Sequence, residues 1–414
     1  MLTRDNRVVV TGLGIVAPNG IGKEAFWGSL VEGRSGVGPV TLFDASQLPC
    51  RIAGEVNDFD PKTHLGPDIS HKRMARQSQL ALSAAFQAVA DAGLSRNPVV
   101  TTLPIPLVLG ISSSAIEVVA DSMEILMTKG PSRVPFHSVD ACRPHQAASI
   151  LAHYIPLLSS LTTVSSACSA GLDAIASAAA LIREGRAEVA IAGGADAPIN
   201  ALTLACLAKG RFIAHHDNPL KASCPFSADR NAGVISEGAG IVVLESLDHA
   251  RTRGASLYLE ITGYATLSDP RLDEPESGLG PTIKAALANA RRRPGDVDYI
   301  CAHGPSDRCL DQLETNVIKS VFGSHAYRIP VTSIKGVTGN PFAAAGAFQV
   351  ATCALILRDN LIPPTANLDK PDPKCDLDYV PLVARHAAPQ CILINSHGMG
   401  GGNSCLVVER VRSA

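Results

Sequence analysis

Long apolar runs, long basic blocks and closely paired cysteines are all missing from this 414-residue chain. Each absence excludes something. No apolar run reaches the ~18 residues at which a bilayer crossing becomes feasible. Asp173 and Arg183 bracket the most hydrophobic stretch, so no membrane span is expected. Lysine and arginine total 36 against 38 acidic residues, a net charge of −2, which provides no pull toward nucleic acid or an anionic membrane. The opening MLTRDNRVVV lacks a signal-peptide core and reads as a strand entered almost at once, so a cytoplasmic protein is expected. Eleven cysteines are present, but they are scattered and form no CxxC pair. In a reducing compartment they are mostly free thiols, used for packing or left at the surface, with one or two at most doing chemistry. His64, His71, His137, His145 and His153 show no metal-ligand spacing, so no metal is expected; His215 and His216 read as a polar loop.

What is present is a large apolar fraction, 46%, in a chain longer than one simple core usually holds. Short apolar runs occupy residues 7–14, 106–114, 161–167, 188–195 and 240–246. A second set occupies 257–265, 298–304, 328–336, 390–398 and 404–411. Strands this apolar belong to sheets buried on both faces. Helix-like segments at 72–93, 168–186, 278–292, 308–322 and 343–358 alternate with them, which predicts an α/β architecture. Five strands followed by five suggest a tandem duplication with a join near 250–256, dividing the chain into halves 1–255 and 256–414. The proline-rich stretch 359–373 reads as a packed surface loop.

Four strand-end corners carry candidate chemistry. In VSSACSAG, Cys168 stands between a strand and a helix among small residues. A free cysteine often only fills space. A thiol at a helix N-terminus, however, has its thiolate stabilised, and small neighbours let a carbonyl approach the sulfur. His303 follows a strand in ICAHGPSD. In VTSIKGVTGNPF, Lys335 is either a surface lysine or one that reaches inward to a carboxylate, with Glu314 as a candidate partner. Asn340 of the same stretch fits a helix cap ahead of Pro341. NSHGMGGGNS (395–404) reads as a hairpin-like turn passing close to a ligand rather than a phosphate cradle, since no helix follows it.

Together and in this order, these corners resemble the β-ketoacyl-acyl-carrier-protein synthases, the ketosynthase family of the thiolase superfamily. SSACSAG resembles the family's nucleophile motif, CPFSADRNAGVISEGAG its central loop, AHG its histidine motif, SIKGVTGN its lysine motif and NSHGMGGGNS its glycine-rich turn. VVVTGLGIVAPNGIGKEAFWGSLVEGRSGV resembles its opening, so the likeness covers nearly the whole chain. It implies a thiolase-like, five-layered α-β-α-β-α fold of two duplicated halves, usually dimeric. It implies that Cys168 takes an acyl group from a carrier protein, with the Cys168 and Met399 amides as oxyanion hole. A malonyl-carrier thioester then decarboxylates and attacks. His303 would hold the malonyl thioester carbonyl and stabilise the enolate, and Lys335 with Glu314 would support it. The chemistry calls for no cofactor.

The resemblance also marks departures. Asn340 stands where the family has a second histidine, giving a Cys-His-Asn set; its amide still donates a hydrogen bond. Pro305 and Asp307 replace threonines after the histidine motif, and Gly402 replaces another in the glycine-rich turn. If Asp307 faces the pocket it would repel a malonyl carboxylate, act as a base or orient a cationic acceptor; alternatively it bonds the loop backbone or pairs with Arg308. Gly233, His397 and Met399 replace the family's aromatic gates, which implies an altered acyl pocket. These changes point to a specialised polyketide or unusual fatty-acid pathway. Two alternatives accompany that reading: a chain-length-factor-like partner subunit of another ketosynthase, and an acyltransferase that omits decarboxylation. An acyl carrier protein is the expected partner, with dimerisation to a like or an unlike ketosynthase chain.

Overall fold

The computed structural model describes residues 6–94, 103–216, 218–270 and 278–412. The first set of strands is β1 (Val8–Ala17), β2 (Pro106–Gly110), β3 (Ser160–Val164), β4 (Val189–Asp196) and β5 (Gly238–Ser246). The second set is β6 (Leu259–Ser268), β7 (Tyr299–Cys301), β8 (Val331–Thr332), β9 (Cys391–Gly398) and β10 (Gly402–Glu409). The main helices are α1 (Arg76–Asp91), α2 (Ile116–Lys129), α3 (Gln146–Tyr154), α4 (Ala170–Arg183), α5 (Leu279–Asn289), α6 (Arg308–Phe322) and α7 (Ala344–Asp359).

The strands run β8-β7-β9-β10-β6-β1-β5-β4-β2-β3 across the sheet. Numbered within its own set, each five follows the order 3-2-4-5-1. The pairing senses repeat as well. β2 is parallel to β3 and β4, as β7 is to β8 and β9. β5 is antiparallel to β4 and β1, as β10 is to β9 and β6. β1 and β6 join the sets over a short antiparallel pairing, Val8↔Ile261 to Val10↔Leu259.

Alternate residues of one strand face different cores, which is what the continuous apolar runs require. Val242 and Leu244 of β5, Ile392 and Ile394 of β9, and Leu406 and Val408 of β10 pack in a central cluster with α4 and α7. Ile241 and Val243 point the other way, into a cluster with Leu80, Ala84 and Ala88 of α1 and Leu151 of α3. Leu393 and Val407 point into a third, with Ile283 and Leu287 of α5 and Ile318 and Phe322 of α6. The layers are therefore helix, sheet, helix, sheet, helix: the thiolase-like α-β-α-β-α arrangement.

The central layer fixes where the site lies. α7 is buried continuously from Ala344 to Leu357, as a helix apolar all round must be. Its start meets the start of α4 at backbone distance. A Cβ on Gly171 would stand 2.1 Å from the Ala343 carbonyl oxygen, and one on Gly346 would stand 2.6 Å from the Leu172 nitrogen. Only glycine admits this approach, which brings two helix N-termini together at the ends of β3, β7 and β9.

The sequence-predicted strands and helices are all present, most with ends displaced by a few residues; the run 328–336 keeps only Val331–Thr332 as strand and ends in the helical turn Lys335–Thr338. α2, α3 and the helices Lys23–Val31 and Ala201–Lys209 had no counterpart in that reading. Residues 359–373 form the expected packed loop, with Thr365 and Ala366 buried. Among the described residues, no helix is long and apolar enough to cross a membrane.

Candidate active site

β3 ends at Val164, and the chain turns through Ala167 at φ 54° before Cys168 and the first turn of α4. A left-handed alanine is a strained residue, and here it aims the next side chain away from the sheet. Cys168 is 8% exposed. Asn340 Nδ2 donates to its Sγ at 3.8 Å, and the Met399 N–H also reaches the sulfur. The β9–β10 hairpin lies directly against the elbow: a Cβ on Gly398 would stand 2.8 Å from the Ser166 carbonyl oxygen. Burial pushes the Cys168 thiol up, and the Lys335 charge and the Asn340 and Met399 donors offset this only in part. The helix-stabilised thiolate expected from sequence is opposed here by burial. Cys168 precedes the cap residue Ser169, and burial, the largest influence on the sulfur, disfavours its ionised form.

His303 leaves the end of β7 with both of its backbone groups held. Glu314 of α6 accepts from the N–H of His303 at 3.0 Å, from Gly304 at 2.8 Å and from Asn395 Nδ2 at 3.0 Å. Lys335 Nζ donates to the His303 carbonyl and lies 3.3 Å from its Nδ1. The expected lysine–carboxylate pair is thus corrected: both residues are buried, and they meet through His303. The His397 N–H donates to His303 Nδ1 at 3.2 Å. Since Nδ1 accepts, the proton of the neutral ring sits on Nε2. Burial, then the Lys335 charge, then His397 hold this imidazole well below its ordinary pKa, so it is neutral. Burial also lowers the Lys335 ammonium.

Asn340 does not cap a helix. Its N–H donates to Val234 O at 2.7 Å and its carbonyl accepts from Ser236 N at 3.0 Å, while α7 begins only at Ala344. Its side-chain Oδ1 is buried without a partner among the described residues, leaving the amide directed by its contact with sulfur. Sequence reasoning missed Asp196, the last residue of β4. Fully buried, it accepts from Ser113 N and Oγ and from Ala343 N, tying the end of β2 to the start of α7. Burial raises its carboxyl to about 6. A lone acidic residue ending the apolar run EVAIAGGAD was the available signal.

Cys168, His303, Asn340, His397 and Met399 line one cavity of about 520 Å³, walled by Leu207, Phe212, Ile213, Phe342 and Leu310. Gly233 lines it too. A Cβ there would meet the Pro305 carbonyl oxygen at 2.7 Å, so the backbone itself fills the space a side chain would take. Asp307 lines the cavity and caps α6, its Oδ1 accepting from Cys309 N at 2.8 Å and Leu310 N at 2.9 Å. Asp307 thus bonds the loop backbone through Oδ1 while its residue also lines the cavity. Gly402 is corrected as a cavity residue. It opposes Gly398 and Ser268 in the sheet and lies outside the lining, whereas Gly400 and Gly401 belong to it. His397 is buried in the hairpin, its ring centroid 6.0 Å from that of His303. Its Nδ1 meets Asn403 Oδ1 at 3.0 Å, and Asn403 Nδ2 donates to Asp269 Oδ1 at 2.7 Å.

The doubled 3-2-4-5-1 sheet with paired central helices defines a thiolase-like α/β protein whose cavity holds a cysteine thiol. The beta-ketoacyl synthase N-terminal domain model matches residues 5–250 and the C-terminal domain model residues 258–369. The chain belongs to the beta-ketoacyl synthase family. It is 39% identical to 3-oxoacyl-[acyl-carrier-protein] synthase 2 of Synechocystis sp., over 98% of both chains. It is 38% identical to the tetracenomycin polyketide synthase ketoacyl synthase alpha subunit of Streptomyces glaucescens, over 98% of this chain and 97% of that one. Among solved structures, it resembles a type II polyketide ketosynthase in complex with its acyl-carrier protein and bound to the hexaketide. That match has TM-score 0.89 and 33% identity, covering 98% of this chain and 99% of the other. The ishigamide ketosynthase/chain length factor matches with TM-score 0.91 and 29% identity, covering 99% and 100%.

Proposed function

We propose that the chain is a β-ketoacyl-acyl-carrier-protein synthase acting in a specialised polyketide or unusual fatty-acid pathway, with Cys168, His303 and Asn340 as its catalytic set. The observation that carries this reading is the convergence on one cavity of the Cys168 sulfur, the Asn340 amide, the Met399 N–H and the neutral His303 ring.

In the first half-reaction the Cys168 sulfur attacks the carbonyl of an acyl-carrier thioester, and the carrier thiol leaves. The Cys168 and Met399 amides stabilise the tetrahedral oxyanion. In the second, a malonyl-carrier thioester loses carbon dioxide. The resulting enolate oxygen accepts from His303 Nε2–H and Asn340 Nδ2, and the carbanion attacks the Cys168 thioester carbon. The carbon–sulfur bond breaks, and the extended β-ketoacyl chain departs on the carrier. Glu314 fixes the His303 backbone, and the His397 N–H and Lys335 Nζ at Nδ1 hold the ring in the donating tautomer.

We read the repeated strand order as two fused halves, 1–255 and 256–414, with the nucleophile from one and His303, Lys335 and Asn340 from the other. The partner is an acyl carrier protein, and the compartment is the cytoplasm. A dimer, with a like or an unlike chain, would cover edge strand β3, where Leu161 is 44% exposed, and the exposed Met127 and Phe136. The Cys168 thiol weighs against a purely structural partner subunit. The capping of α6 by Asp307 weighs against that carboxylate as a base for another acceptor.

Intact-protein mass spectrometry with acyl- and malonyl-carrier donors tests the reading. An acyl adduct at Cys168 and malonyl-dependent carbon dioxide release, both lost in Cys168→Ala, are expected. No adduct and no release would overturn it.

A further inference from the structure

We propose that His397 is a further catalytic residue of this site, the base that receives the Cys168 thiol proton during acyl loading. The inference rests on the ketosynthase reading above and assigns a step which that reading leaves without a base.

A buried thiol cannot attack a thioester until its proton goes elsewhere. The groups around the cavity can be taken in turn. His303 accepts at Nδ1 from the His397 N–H and so carries its proton on Nε2; it donates and does not accept. Asn340 is an amide without useful basicity. Glu314 is committed to three N–H donors. Lys335 donates to the His303 carbonyl. Asp307 caps α6, and Asp269 holds the N–H of Gly278 and the amide of Asn403. An ordinary carboxylate is in any case a much weaker base than an imidazole.

His397 has the complementary tautomer. Asn403 Nδ2 donates to Asp269 Oδ1 at 2.7 Å and to Gly401 O at 3.3 Å, which fixes which end of its amide is nitrogen. Its Oδ1 is therefore the atom facing His397 Nδ1 at 3.0 Å, and Nδ1 must carry the hydrogen. The neutral ring then presents an unprotonated Nε2. Among the described residues nothing bonds to that nitrogen, and the ring lines the cavity with Cys168. The Asp269–Asn403–His397 chain is a relay that holds one imidazole as an acceptor, 6.0 Å between ring centroids from one held as a donor. The same hairpin brings the Met399 N–H to the sulfur, two residues along from His397.

The step balances. Sγ–H gives its proton through one cavity water to His397 Nε2 as the S–C bond forms to the acyl carbonyl. The carbonyl reforms, the bond to the carrier sulfur breaks, and the imidazolium returns the proton to the departing thiolate. One thioester and one thiol enter, and one of each leaves.

The experiment is single-turnover loading of Cys168 from acyl-pantetheine thioesters, acetyl to decanoyl, read by quenched-flow mass spectrometry. His397→Gln is expected to load roughly 10²-fold more slowly, the scale of a lost general base. His397→Ala is expected to be equally slow and to recover at least tenfold with added imidazole, which leaves the wild type unchanged. A merely structural role would not produce that rescue. Loading at the wild-type rate in His397→Gln, or an Ala variant that imidazole does not accelerate, overturns the proposal. Failure of the wild type to form any Cys168 adduct would instead overturn the ketosynthase reading beneath it.

Discussion

Glu314 holds the N–H of His303 while Lys335 holds its carbonyl, so two buried and oppositely charged residues grip the backbone of one residue from either side. A carboxylate and an ammonium buried apart from water are each costly. Here each is spent on orienting a neutral imidazole.

Breaking that grip therefore disturbs both fold and chemistry. Glu314→Leu leaves the amides of His303 and Gly304 and the Asn395 Nδ2 unpaired, and Lys335 without its compensating charge. A loss of about 3–5 kcal/mol is expected for removing one partner of a buried charge network. Chemical denaturation measures it, and a midpoint unchanged from wild type would refute the assignment.

The buried His303 imidazole links stability to acid. Its folded pKa is depressed well below 6.5, chiefly by burial. Below pH ~6.5 the unfolded chain binds a proton there that the folded protein refuses, so this contribution to stability is lost as pH falls. Urea midpoints taken from pH 7.5 down to 5 are expected to fall less steeply in His303→Gln than in the wild type. Parallel curves would sink the claim.

Asn340 is expected to matter for decarboxylation more than for loading. In Asn340→Leu the enolate loses one donor, and malonyl-dependent carbon dioxide release is expected to fall about 10²-fold, the typical worth of one such donor. Acyl adduct formation at Cys168 would fall far less. Equal losses in the two assays would refute the division of labour.

Asp307 gives the opposite expectation. Asp307→Asn keeps the cap of α6, and Asp307→Ala removes it at a cost of about 1 kcal/mol. Condensation rates should be near wild type in both. A hundredfold loss in Asp307→Asn would restore the carboxylate as a reacting group.

The central layer tolerates least. Phe348 of α7 is fully buried, 5.4 Å between ring centroids from Phe26, and Phe348→Ala is expected to cost about 3–5 kcal/mol. Thermal unfolding reads this directly, and a shift of less than a degree would contradict the packing described.

How much was legible in the sequence follows from how local each signal is. Most of the strands announced themselves because a strand buried on both faces is apolar at nearly every position; the exposed edge strand β3 was read from its β-branched residues instead. Cys168 and His303 were visible because strand ends next to small residues are read along the chain. Asp196, by contrast, acts on Ser113 and Ala343, which lie far from it in sequence. Asn403 matters only through partners at 397 and 269. Gly233 suggested an emptied gate, but the Pro305 carbonyl occupies that place.

Composition, periodicity and the order of the corners by themselves determined the α/β class, the doubled strand pattern and the position of the candidate cysteine, because each depends on neighbours along the chain. Tertiary structure alone decided protonation. Whether a thiol is ionised, and which nitrogen of His303 or His397 carries hydrogen, depends on burial and on partners brought in by another strand or helix. A linear sequence does not record those distances.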